Sequence, residues 1–539
     1  MIYSRRAFVK LGSAAAGAGV VWPRRMLAEI QAARATPGAW APTVRALLGP
    51  TEVAASALEA AKSAGAVYAD VRFSYDQAES LFPFVGPTYP GPRRTEHIGW
   101  GVRALVNGYW GFAGLDGVAT TDDAATLGRA ATAQATNAAR GKPRTVDLGR
   151  IPVATGTWAT PVEIDPFTVS YEEKADYMDS IIDDIQRRRY GVAHTFAYIT
   201  VERGDRLFAS SEGSSISQTI FTTTSRLEVN VSADWMSELD GQRAASFLSS
   251  AGAGWEYILS SPLRERATQL IDEALGARRP QPVDLGRYDV VFDAEATAQV
   301  IAASIGDATA LDRAMGYRAN EDGTSYLRDP LSMLGTFHVG SPLLTVSMNR
   351  SMPHGVATVK WDDEGVEPRD ATLVKEGILT DFQTTREAAS WLAPYYGTTH
   401  QPVRSNGCMG LVDRGASEPP VQVPPNLVMQ PGADELSFHD LVKSTKKGLA
   451  FVGGQSSTDW QALNGVGGGS MVYRITNGEL DGTVGPAQYL YRSPDFWKNL
   501  VAIGGKRSAA PFGLLTGNTV SAVPMKVTNV AITDPTRKA

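Results

Sequence analysis

Six histidines and one cysteine leave few places in these 539 residues for metal or acid–base chemistry. The stretch Val300-Ile301-Ala302-Ala303-Ser304-Ile305-Gly306-Asp307 offers one carboxylate, Asp307, beside two methyl groups, Ala302 and Ala303. A methyl group neither ligates a metal nor accepts a proton. His338 and His354 lie 16 residues apart. Together with Asp307 they would make a three-ligand set, although unrelated histidines are more ordinarily surface or hydrogen-bonded residues. The acidic run Asp362-Asp363-Glu364 has the chemistry of a cation site or general base, but Gly365 behind it favours a solvated turn. The triple glycine at 467–469 could admit a phosphate or a close peptide backbone, yet no Lys-Ser/Thr follows it as a nucleotide loop requires. No serine stands in a Gly-x-Ser-x-Gly context, and Ser210-Ser211-Glu212-Gly213 reads as a β-turn. Cys408 has no second cysteine to pair with and is expected to be an inert buried thiol.

The elements that must carry these residues follow from periodicity. An extended run, Tyr288 to Phe292, precedes a helix starting near Ala294 whose apolar residues recur at Ala296, Val300, Ile301 and Ile305. Upstream, Pro50-Thr51 opens a helix through Ala64, stopped by Gly65, and Tyr68 to Tyr75 is a strand. Prolines between Leu81 and Arg94 mark a loop. Asn107-Gly108 between apolar runs predicts a hairpin. Helices are expected over 122–140, Tyr171 to Tyr190 and Leu263 to Ala277. Extended runs at His194 to Val201, Leu207 to Ser210, Ser215 to Thr222 and Arg226 to Ala233 predict an antiparallel meander with a turn at Glu202-Arg203-Gly204-Asp205. In the second half, Gly340 to Val359, Thr372 to Phe382, Leu449 to Val452, Met471 to Ile475 and Gln488 to Tyr491 read as extended, with a short helix capped by Ser437 and Asp440.

The fold class expected is therefore α+β: an N-terminal α/β domain with an antiparallel sheet, then a β-rich C-terminal domain. Residues 1–35 read as a twin-arginine signal peptide: Ser4-Arg5-Arg6-Ala7-Phe8-Val9-Lys10, a weakly apolar segment from Leu11 to Trp22, and a small-x-small site at Ala33-Arg34-Ala35. Residues 36–50 are a linker, 51–282 the first domain and 283–539 the second. Export would leave the protein periplasmic or extracellular. A net charge of −6, with no Lys/Arg stripe beyond the N-terminus, argues against nucleic acid as a partner. No internal apolar run approaches the roughly 18–20 residues of a membrane span.

Several short pieces occur in the order found in the TldD/TldE (PmbA) family of zinc metallopeptidases and their metal-free partners, which the chain resembles over roughly 50–535. They are Ala60 to Arg72, Gly99-Trp100-Gly101-Val102-Arg103 with Trp110-Gly111-Phe112, Ser210 to Gly213, Asp363-Glu364-Gly365, Glu376 to Thr380, Arg404-Ser405-Asn406, Gly448 to Val452 and Ile475 to Gly478. The resemblance implies a TldD/PmbA-type domain in each half. It also implies a His-Glu-x-x-x-His helix in catalytic members, with zinc on the histidines and the glutamate activating water. Gly306 and Asp312 set the register, so that Ala302, Ala303 and Asp307 stand where histidine, glutamate and histidine would be. Thr516-Gly517 best matches the family's third ligand, a cysteine before a glycine. The site is thus expected to be degenerate, with no cofactor in this chain and zinc in a catalytic partner. The reading is a non-catalytic, TldE-like subunit in a heterodimer with a TldD-type subunit, acting on extended, unfolded peptides. The alternatives are an active metallopeptidase rebuilt around Asp307, His338 and His354, and a homodimeric peptide-binding protein without protease activity.

Overall fold

In the computed structural model the first layer is a seven-stranded sheet made of β1 (Tyr68–Leu81), β2 (Arg93–Val106), β3 (Tyr109–Asp116), β4 (Thr155–Ala159), β5 (His194–Ser210), β6 (Ser215–Val231) and β7 (Arg243–Ala251). The structure describes residues 50–81, 93–141, 145–187, 194–231, 243–276, 280–411 and 415–536. The expected signal peptide and most of the linker lie outside the described residues, as does the core of the proline-rich loop. The strands run β3-β2-β1-β5-β6-β4, with β7 also on β6, and every pairing except β4 with β6 is antiparallel. Asn107 and Gly108, at φ +51° and +79°, make the tight β2–β3 turn that a right-twisted hairpin needs.

The turn expected at residues 202–205 is not there. β5 runs unbroken because it pairs along its length with β6 and over much of it with β1. Its charges are matched within the sheet: Arg203 with Asp205 at 3.1 Å and Arg206 with Asp76 at 3.2 Å. Two helices, α1 (Pro50–Ser63) and α2 (Thr121–Ala138), pack on β1–β3 through small residues, Ala57, Ala61, Ala131 and Ala135, all fully buried. A second apolar cluster lies under β5 and β6. Helices α3 (Tyr171–Arg187) and α4 (Leu263–Gly276) contribute Ile181, Ile185, Leu270 and Ile271 to it.

From residue 286 on the chain is β-rich. The strand β8 (Gly286–Phe292) lies inside a nine-stranded sheet, parallel to Lys447–Val452 and antiparallel to Met525–Thr533. The edge strands of that sheet are Gln455–Thr458 and Glu479–Thr483. A six-stranded sheet, including Val346–Met348, Ala371–Lys375 and Leu427–Met429, shares its core. The extended reading of 340–359 and 372–382 is cut back to short strands, because turns at Gly355 and Glu376-Gly377 interrupt it. The glycine-rich strand Asn464–Gly468 makes room for tyrosines: a Cβ on Gly465 or Gly467 would lie 2.1 or 2.2 Å from the rings of Tyr491 and Tyr489 on the neighbouring strand. Neither a phosphate nor a peptide is needed to explain those glycines.

The two sets of sheets are locked by buried charge. Asp70 on β1 pairs with Arg72 at 2.6 Å and with Arg103 on β2 at 2.7 Å. Arg103 also reaches Glu364 at 3.0 Å, and Arg72 donates to the carbonyl of Asp363 at 2.8 Å. Arg386 pairs with Glu212 at 2.8 Å. The acidic run is thus not a solvated turn: Asp362 and Glu364 are each 1% exposed. Asp362 accepts three backbone N–H groups, and Glu364 accepts the N–H of Arg386. Residues from Pro50 onward form one compact unit.

Burial pushes the Asp70 carboxyl up, but Arg103 and Arg72 outweigh it and hold it at about 2. Its folded value lies below the usual carboxylate range, so its contribution is complete above about pH 4 and is lost as pH falls toward 2. Arg103→Met should destabilise the protein by about 3–5 kcal/mol at pH 7, because Asp70 and Glu364 lose a shared buried partner. Arg94→Ala, at a cation 60% exposed beside Glu79, should cost under about 1 kcal/mol. Urea unfolding of both variants checks this, and equal losses would contradict it.

Candidate degenerate metal centre

β8 delivers the chain into helix α5 (Ala294–Ile301). Asp293 caps it, its carboxylate accepting from the N–H of Ala296 at 2.8 Å and from that of Gly453 at 3.1 Å. The helix is buried along Ala296, Thr297, Ala298, Val300 and Ile301. It then widens into a π-helical turn over Ala302–Gly306, where the N–H of Asp307 reaches back five residues to the carbonyl of Ala302 at 3.1 Å.

Local side chains explain the widening. The Ser304 hydroxyl donates to the carbonyl of Val300 at 2.6 Å and accepts from the Trp497 indole at 2.9 Å. A serine bonding back in this way loosens the helical ladder. The carbonyls of the widened turn find partners outside it. Thr458 donates to Ala303 at 3.2 Å, and the Gln383 amide donates to Gly306 at 2.5 Å and to the Thr309 hydroxyl at 2.9 Å. Such turns inside α-helices are frequent at functional sites. Periodicity alone could not reveal this one, because the apolar spacing through Ile305 is that of an ordinary helix.

On this turn Ala302 is half-buried and Ala303 is 9% exposed. Asp307 lies one residue past it, its carboxylate 3.5 Å from the guanidinium of Arg313. Arg318 pairs with Asp312 at 3.8 Å and also binds Asp322. Thr516 is exposed at the tip of the hairpin formed by Ala510–Gly513 and Thr519–Ala522, and its hydroxyl donates to Asn518 at 2.6 Å. Both hairpin strands pack against α5. His338 is exposed at an isolated bridge to Ile378. His354 is exposed at a tight turn with φ +56°, and its carbonyl accepts from Gly252 at 2.9 Å. Among the described residues no three His, Cys, Asp or Glu side chains gather as a metal ion would require. The structure therefore does not bring Asp307, His338 and His354 together. Cys408 is buried against Met348, and burial pushes its thiol up to about 12, so it is no nucleophile at neutral pH.

The donor set does not fit zinc. At the positions that the family resemblance assigns to ligand, base and ligand stand two methyl groups and a carboxylate facing a protein cation. What the turn does hold is an ion-pair cluster, absent from the sequence reading. Its signal was the charged run after Asp307, namely Asp312, Arg313, Arg318 and Asp322.

Loss of solvation raises both Asp307 and Asp312 to about 6, only partly offset by Arg313 and Arg318; with side chains 42% and 18% exposed respectively, burial weighs more at Asp312. Both folded values lie above the usual carboxylate range. Between about pH 4 and pH 6 the folded chain therefore holds more protons than the unfolded one, and these groups lower stability as pH rises through that window. Carbon-detected NMR of the two carboxyls should show midpoints near 6. Midpoints at the ordinary carboxylate value would contradict the desolvated setting.

Comparison with known proteins bears on this geometry. Residues 285–534 match the PmbA/TldA metallopeptidase C-terminal domain. The chain is 25% identical over 321 residues to Metalloprotease MJ0996 of Methanocaldococcus jannaschii, an alignment covering 59% of this chain and 63% of that protein, under two thirds of its length. It is 24% identical over 426 residues to a metalloprotease of Methanothermobacter thermautotrophicus, covering 77% of this chain and 82% of the relative. Its fold is similar to that of TldE from Thermococcus kodakarensis, with a TM-score of 0.67 and 14% identity over 89% of this chain and 99% of that one. Residues 285–534 thus match a PmbA/TldA-type metallopeptidase C-terminal domain, and over a longer span the chain is similar to proteins named metalloproteases.

Proposed function

We propose that this chain is the non-catalytic, TldE-like subunit of an exported heterodimeric zinc peptidase that acts on unfolded peptides. The observation that carries the reading is the pair of methyl groups, Ala302 and Ala303, on a well-formed helix and turn. The scaffold persists while the groups that would bind metal and activate water are missing. Without a base or a Lewis acid, the chain has no means of its own to generate the attacking hydroxide. Zinc and the general base would then come from a TldD-type partner. The similarity of the fold to TldE supports the same assignment.

The part left to this chain is to complete the binding chamber and hold an extended peptide. The edge strand Gln455–Thr458 runs beside the π-helical turn, with Thr458 bonded to the Ala303 carbonyl. An edge offers backbone N–H and C=O groups for adding a peptide strand, a mode that suits unfolded substrates. The Arg5-Arg6 motif supports export by the twin-arginine route.

Co-expression with a homologue that retains His-Glu-x-x-x-His tests the proposal. The two chains should co-purify and cleave an unfolded peptide. Replacing the partner's motif glutamate by glutamine should lower the rate by at least about a hundredfold, the usual weight of a lost general base. Ala303→Ser in this chain should leave the rate unchanged. Cleavage by this chain alone would sink the proposal. A stable homodimer that binds peptide and ignores the homologue would favour the homodimeric peptide-binding reading instead.

A further inference from the structure

The carboxylate that survives at position 307 already has a counter-ion. Arg313 is 7% exposed, its Nε is fixed by the carbonyl of Thr324 at 2.8 Å, and a terminal nitrogen lies 3.5 Å from Asp307. Arginine keeps its charge at every accessible pH, so this cation cannot step aside by losing a proton. The following segment holds it in place. The N–H of Tyr317 returns to the carbonyl of Asp312 at 2.9 Å, that of Gly323 to Arg318 at 3.0 Å, and that of Thr324 to Trp460 at 2.7 Å. Arg318 is neutralised by Asp312 and Asp322, so Arg313 is the cation paired with position 307.

We infer that Arg313 is a resident counter-charge that excludes a divalent metal ion from the turn at 302–307, over and above the loss of ligands. A metal ion on the side chain at 307 would sit within about 6 Å of the guanidinium, given metal–ligand bonds near 2 Å. At that distance the like charges oppose each other, with the Arg313 side chain 8% exposed and the side chain at 307 42% exposed. The inference rests on the proposed function, because it takes 302, 303, 307 and 516 as the ligand and base positions. It goes further in saying that restoring those four residues is not enough.

Two variants separate the claims. The first carries Ala302→His, Ala303→Glu, Asp307→His and Thr516→Cys. The second adds Arg313→Gln, which keeps a donor for the Thr324 carbonyl but drops the charge. Zinc affinity is measured by competition with a chromophoric chelator, after circular dichroism confirms folding. The five-site variant should bind about one zinc, at least about a hundredfold more tightly than the four-site variant. Equal, tight binding by both would overturn the role of Arg313 while leaving the ligand register intact. Binding by neither folded variant would overturn both. If the five-site chain does not fold, Arg313→Met in its place supplies the same comparison.

Discussion

Buried charge has to be paired, and that requirement shapes this molecule more than any other. Arg103 is the clearest case, since one guanidinium serves Asp70 on its own sheet and Glu364 on the other half of the chain. Taking three such groups out of water would be prohibitive singly and is tolerable only as a set. The set fixes the distance and orientation between the first sheet and the loop at residues 361–366. A short way along the chain the buried Arg386 reaches the exposed Glu212, so the short motifs of the two halves meet across one polar seam.

Behind that seam the second half is an apolar core in which β8 and α5 are deeply embedded. The helix is therefore held in its course by the packing of Ala296, Ala298, Val300 and Ile301. The π-helical turn shows the same point. Its carbonyls are taken up by Thr458 and Gln383 from separate segments, and its serine by Trp497. These contacts come from segments distant in sequence, and they hold the turn open.

Much of this was legible in the sequence. The hairpin at Asn107-Gly108, the helix after Asp293 and the capped helix after Ser437 all follow from local chemistry: left-handed turn residues, a capping carboxylate and a capping box. The departures arose where distant contacts override local signals. Gly204 looks like a turn but lies in a strand paired on both sides. The acidic run at 362–364 looks solvated, yet its partners come from residues nearly 300 positions away as well as nearby. At the site, the sequence shows Ala302, Ala303 and Asp307 directly, while their standing as ligand and base positions is what the family resemblance implies. The arginine that faces Asp307 is not visible in that way, since only the folded turn brings residue 313 back to residue 307.

The central claim is that this chain carries a peptidase scaffold without the means to hold the metal. The most direct test is the zinc content of the purified chain, measured by plasma mass spectrometry after exposure to excess zinc and desalting. The structure leads us to expect far less than about one zinc per chain. Retention of about one zinc per chain, surviving a weak chelator, would contradict the claim.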